Sequence, residues 1–298
     1  MSPERRAGTG TVGRACVVAL LMALLLPAGP PSALAHQGTA NRHGSLPPPS
    51  AWDAPGEPYL LPKRAAADWA ERVGSWTAGT AKQPPPELWA TAPAARTTVV
   101  GVQVADTWPQ ERSTIVTARQ TLEEPFGVTV RDIAVRVDLV EDDAGTWVVV
   151  PSPTPALTPA PPGTAAPTPA ARQVLDNHRI VLSGPARSDV VAGRVGDQLL
   201  QLLTALACHQ EIEVSLLTSG YASYPSERLK DDPATQHASG RAADIRRIAG
   251  EPVTSEHVEG AYEVMRAARE RGVFATGPIL MDDQSSPLVP DHVHLAVR

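Results

Sequence analysis

From residue 171 onward, apolar positions recur in short stretches whose period switches between that of a helix and that of a strand. Val195 to Cys208 places Leu199, Leu202, Leu203 and Leu206 at helical spacing, which predicts a buried-faced helix. Glu211 to Leu217 alternates Ile212, Val214 and Leu216, which predicts a strand, and Arg179 to Ser183 predicts another. A polar loop from Ser219 to Pro233 follows. Thr254 is read as the cap of a helix running to about Arg271, with Val258, Ala261, Met265 and Ala268 on one face and Gly272 at its stop. Val273 to Met281 reads as one or two short strands, and His292 to Val297 as a last one. The expected unit is a compact domain over 171–298, with a small antiparallel sheet and flanking helices.

Upstream, the pattern is looser. Arg64 to Trp76 fits one amphipathic helix, with Ala66, Trp69, Val73 and Trp76 near one face. Residues 97–150 form a second expected unit. Val100, Val102 and Val104 alternate as in a strand, and Ser113 to Glu124 is read as a helix stopped by Pro125. The alternation in Val128 to Val140 slips between Val130 and Ile133, which predicts a bulged strand. Asp142 to Gly145 makes a turn into a further strand, Thr146 to Val150. No cluster of titratable residues stands out in this unit. The fold class is therefore α+β, in two units joined by Pro-rich linkers.

Composition adds the linkers and a route. The chain of 298 residues holds 31 prolines, so part of it is unpacked. Residues 36–96 read as a Pro-rich linker containing the short helix, and 151–170 as a Pro/Thr/Ala tether that cannot bury a core. Residues 1–35 read as a secretory signal: Arg5, Arg6 and Arg14, an apolar run from Ala15 to Leu26, then Ala33-Leu34-Ala35. This implies an extracytoplasmic protein, secreted or wall-associated, with no stable membrane span once the signal is cut; an uncleaved N-terminal anchor is the alternative. A net charge of −6 argues against a general nucleic-acid binder. Cys16 lies in the signal, leaving Cys208 as one thiol, expected to be buried and inert.

The candidate chemistry sits in two places. Thr235-Gln236-His237-Ala238-Ser239-Gly240-Arg241-Ala242-Ala243-Asp244 offers an imidazole and a carboxylate separated by mostly small residues. Asp291-His292-Val293-His294 adds a carboxylate and two imidazoles, the two on one face of a strand. Two His nitrogens, a carboxylate oxygen and an open position suit a catalytic zinc ion. A general base near a water would complete the set.

Thr235-x-His237-x-x-Gly240-x-Ala242-x-Asp244 resembles the motif of the zinc D-alanyl-D-alanine carboxypeptidases and L-alanyl-D-glutamate endopeptidases, which share a fold with the Hedgehog signalling domain. Ser219-Gly220-Tyr221 is similar to the segment ahead of that family's first ligand. The resemblance covers roughly residues 174–298. It implies a DD-peptidase-like fold, one Zn2+ held by His237, Asp244 and His294, and Asp291 as the catalytic base. His292 becomes an outer partner of the site or an alternative ligand. It also implies hydrolysis of an amide bond in peptidoglycan stem peptides. The family's carboxypeptidases usually carry an Arg after Ser-Gly-Tyr; here that position is Ala222. Tyr221, Arg228 and Thr235 are the candidate substrate-binding residues, with Arg246 and Arg247 further sources of positive charge. The alternative function is a zinc- or peptide-binding wall module without catalysis.

Overall fold

The computed structural model describes residues 57–77, 90–108, 111–150, 166–221, 233–278 and 291–298. The expected signal segment, the tether over 151–165 and Arg228 lie outside the described residues. Among the described residues, no helix is long and apolar enough to cross a membrane. The described residues form one compact unit of mixed α and β structure.

The first half is a helix on a sheet. Helix α1 (Leu60–Val73) buries Ala66, Ala67 and Ala70. Strands β1 (Ala94–Trp108), β2 (Glu111–Glu124), β3 (Gly127–Glu141) and β4 (Trp147–Val150) pair antiparallel in chain order. One face of this sheet packs Val99, Val102, Val116, Val135 and Val137 against the alanines of α1. Small side chains on the helix and β-branched ones on the strands let the two layers approach closely.

Three expectations fail here. Residues 113–124 are a strand, not a helix: Thr114, Ile115, Val116 and Thr117 are β-branched, and β2 is laddered on both sides by β1 and β3. The expected bulge between Val130 and Ile133 is absent, since β3 runs in continuous register with β2; the irregularities lie in β1, at Val99/Gly101 and Val104/Asp106. Trp76 lies past the end of α1, where it bridges Ala95 and donates its indole N–H to Ala92 O at 3.0 Å.

The second half has its own core, built on Leu199, Leu203, Ile212, Val214, Ile245 and Leu295. Its strands are β5 (Ile180–Leu182), β6 (Ile212–Leu216), β7 (Ala242–Ile248), β8 (Glu251–Pro252), β9 (Phe274–Thr276) and β10 (Val293–Ala296). They run β5-β6-β7-β10-β9, with β8 on β7. Only the β5–β6 pair is parallel. Helix α4 (Asp197–Ala207) matches the expected leucine face. Helix α6 (Glu259–Arg269) starts later than expected; Thr254 caps no helix, its hydroxyl instead accepting Glu256 N at 3.3 Å in the turn ahead. Helix α2 (Pro169–Asp176) starts where the tether was expected to continue, capped by Thr168 Oγ1 at 3.1 Å from Ala171 N. Helices α3 (Gly184–Val191) and α5 (Pro233–Ala238) were not foreseen. Cys208 is exposed rather than buried, because α4 ends just before it.

The two halves are packed together. The face of the first sheet away from α1 carries Ile115 and Ala134, which meet Leu216 and Tyr221 of the second half. Two glycines make the approach close. A Cβ on Gly220 (φ +89°) would lie 2.7 Å from Ile115 Cγ2, and one on Gly101 would lie 2.5 Å from an Arg246 guanidinium nitrogen. A side chain at Gly220 would press on Ile115 in a strained backbone conformation, whereas one at Gly101 would have to displace the Arg246 guanidinium.

Candidate metal centre

Three ligand atoms converge at the middle of the second sheet. His294 on β10 and Asp244 on β7 are directly opposed in the antiparallel register, so their side chains share one face. His237 arrives from α5, which is closed by Gly240: its N–H reaches His237 O at 2.8 Å and its φ is +70°. A Cβ there would lie 2.2 Å from Arg194 O, so glycine is required both for the turn and for the contact. Ala242 and Ala243, fully buried, then bring the chain straight into β7.

His237 Nε2 lies 3.0 Å from Asp244 Oδ1 and 3.2 Å from His294 Nδ1, and His294 Nδ1 lies 2.9 Å from Asp244 Oδ1. The far nitrogens both have acceptors. His237 Nδ1–H donates to Leu217 O, and His294 Nε2–H donates to Gln236 Oε1 at 3.0 Å. With those protons on the far side, the inward nitrogens can turn lone pairs toward the carboxylate oxygen, as a shared metal ion would need. Two imidazoles and one carboxylate suit the divalent transition metals that imidazole binds. His237, Asp244 and His294, all buried, therefore form a group that could hold a metal ion, as expected from the sequence.

The surroundings hold these groups in ligand form. Burial alone would raise the Asp244 carboxyl; its imidazole neighbours, His237 before His292, hold it well below the usual carboxylate range. Burial pushes His294 below the ordinary histidine value, toward the neutral ring that a metal takes. The second oxygen of Asp244 accepts Tyr221 O–H at 2.6 Å and Gln103 Nε2–H at 2.5 Å. Tyr221 also stacks on His237, with ring centroids 3.8 Å apart and planes within 4°. Its loop is pinned by the buried Asp189, which accepts Thr218 N and Ser219 N at 2.8 Å each.

A second, linked group lies beside the triad. Asp291 precedes β10, in the loop position its expected role needs. Its Oδ1 accepts His292 Nδ1–H at 2.8 Å, and His292 Nε2 lies 3.5 Å from Asp244 Oδ1. The Asp291 Oδ2 accepts Lys63 Nζ at 2.6 Å and Val104 N at 2.9 Å. Lys63 is fully buried and also meets Glu57 at 2.7 Å. Burial would raise Asp291, but Lys63 and then His292 bring it below its ordinary value. Burial would lower His292, but Asp244 and Asp291 raise it. Burial would likewise lower Lys63, but Asp291 and Glu57 raise it.

The triad, Asp291 and His292 were all legible in sequence; Gln103, Val104 N and Lys63 were not. Gln103 and Val104 come from residues 97–150, where no titratable cluster was seen, and Lys63 lies ahead of that unit, far in sequence from Asp291. The one available signal was Gln103, a polar residue amid the valines of β1. Thr235 lies on α5 with its buried hydroxyl lacking a hydrogen-bond partner among the described residues. Tyr221 acts on the ligands, through its hydroxyl and its ring. Arg246 Nε pairs with Glu213 at 2.7 Å, and Arg247 Nε lies 3.5 Å from the same carboxylate. The Arg246 side chain lines a cleft with Lys63, Gln103 and Asp291. Compared with known protein families, curated proteins and solved structures, the chain finds no match.

Proposed function

We propose that this protein is an exported zinc peptidase that hydrolyses an amide bond in peptidoglycan stem peptides. The observation that carries the reading is the buried triangle of His237 Nε2, His294 Nδ1 and Asp244 Oδ1. Its substrate class rests on the resemblance of the motif between Thr235 and Asp244. Zinc, when bound, would polarise the scissile carbonyl and make a water acidic enough to attack near neutral pH.

The chain's own residues then have defined tasks. His237, Asp244 and His294 hold the ion. His292 presents Nε2 on the side of the Asp244 oxygen that faces the triad, and Asp291 holds its other nitrogen. The Asp291–His292 pair is thereby placed to take a proton from the attacking water and return it to the leaving amine. The sequence assigned the base to Asp291 alone; its contact with His292 supports a joint role. Lys63 keeps Asp291 ionised.

The test is incubation of the zinc-loaded full chain with purified monomeric and cross-linked muropeptides, read by mass spectrometry. Cleavage of one class of amide is expected. Asp291→Ala and His292→Ala should each retain zinc and lose about 10²–10⁴-fold in rate. If the wild type binds zinc but cleaves neither class, the peptidase reading falls. A second reading is then favoured: a zinc-binding wall module without catalysis. The burial of Asp244 and Asp291 beneath donors from the first half is the observation on its side.

A further inference from the structure

The metal ligand Asp244 is braced from outside its own half of the chain. Gln103, on β1, is buried, and its Nε2 donates to Asp244 Oδ2 at 2.5 Å. Ser215 Oγ, on β6, donates to Gln103 Oε1 at 2.5 Å. The carboxylate sets which end of the amide is which. It only accepts, so the NH2 end faces it and the carbonyl end faces the Ser215 hydroxyl, which can donate. β1 is itself tied to the second half by Val104 N on Asp291 Oδ2 at 2.9 Å and paired along its length with β2. The donor therefore stands on a fixed strand.

A carboxylate that gives one oxygen to a metal needs donors on the other to fix its plane. Asp244 Oδ2 has two, the hydroxyl of Tyr221 and the amide of Gln103. Tyr221 belongs to the half that carries the ligands; Gln103 does not. We propose that Gln103 is a positioning residue of the metal centre, so that the first half of the chain sets how tightly the second half holds its metal. The inference rests on the reading of the triad as a zinc site. It adds that residues 171–298 alone make a weakened centre.

The experiment is zinc-chelator competition on the full chain, with absorption spectra of the cobalt(II)-substituted forms. Gln103→Met keeps the side-chain volume and removes the donor. It should bind zinc about 10–100-fold more weakly than wild type and show altered cobalt ligand-field bands. Ser215→Ala leaves Gln103 in place but frees its amide to turn. It should weaken binding in the same direction, so the test survives if Gln103→Met folds poorly. Val130→Thr, on an exposed position of β3, should match wild type in both readouts. Wild-type zinc affinity and an unchanged cobalt spectrum in both Gln103→Met and Ser215→Ala would overturn the inference while leaving the zinc site standing. A wild type that takes up no metal would remove both.

Discussion

The two halves reveal their chemistry in opposite ways. In the second, the candidate metal ligands are written in residue types and spacing: His237 and Asp244 around a turn glycine, His294 two residues after another histidine. The first half reads as plain scaffold, yet its strand β1 delivers Gln103 to one carboxylate of the centre and Val104 N to the other, where helix α1 adds Lys63. Groups that do chemistry need rare side chains, and rare side chains are visible. Groups that hold them need only a donor in the right place, which a glutamine or a backbone N–H supplies without leaving a pattern.

Lys63 offers the strongest way to break this contrast. It is fully buried between Asp291 and Glu57, and Lys63→Met would leave Asp291 charged in a buried site. The expected cost is about 3–5 kcal/mol in urea unfolding. A loss below about 1 kcal/mol would mean that the first half contributes nothing essential to the pair. Acid titration sharpens the same point. Asp291 sits below its ordinary value of about 3.9, so its contribution is complete above that value and is lost as pH falls through the lowered one. The Asp291 contribution should weaken in wild type only below about pH 4, so the acid profile of Lys63→Met, which has lost the charge that lowers Asp291, should fall away from that of wild type at higher pH. Coincident acid profiles would contradict this.

Gly220 tests the contact between halves more gently. Alanine there must adopt φ +89° and press on Ile115, at an expected cost of about 1–3 kcal/mol by thermal or chemical unfolding. An unchanged stability would show that the two sheets can part without penalty. Phe126 marks the small end of the scale. It projects from the β2–β3 turn, far out of the core, and Phe126→Ser should change stability by no more than about 0.5 kcal/mol.

Legibility followed the same physics in the fold. The leucine face of α4 and the Ile-Val-Leu alternation of β6 were plain, because in each the apolar residues recur at the period of the element that buries them. Residues 113–124 misled because Arg119, Gln120, Glu123 and Glu124 look helical, while the pairing of β2 on both edges decides for strand. Such pairing is a long-range property that no local window holds. The site was legible as far as its ligands and as far as the Asp291–His292 pair. Its supports were hidden because β1 has two buried faces, one against α1 and one against the second half, so the polar residue Gln103 did not mark a solvent side.

The most direct measurement is the zinc content of the purified full chain, by elemental analysis, with Asp244→Ala beside it. About one zinc per wild-type chain and little in the variant is the expected result, since loss of one ligand leaves two imidazoles without the carboxylate that balances the ion. Equal zinc in the two proteins, or none in either after reconstitution, would contradict the assignment of His237, Asp244 and His294 as the metal ligands.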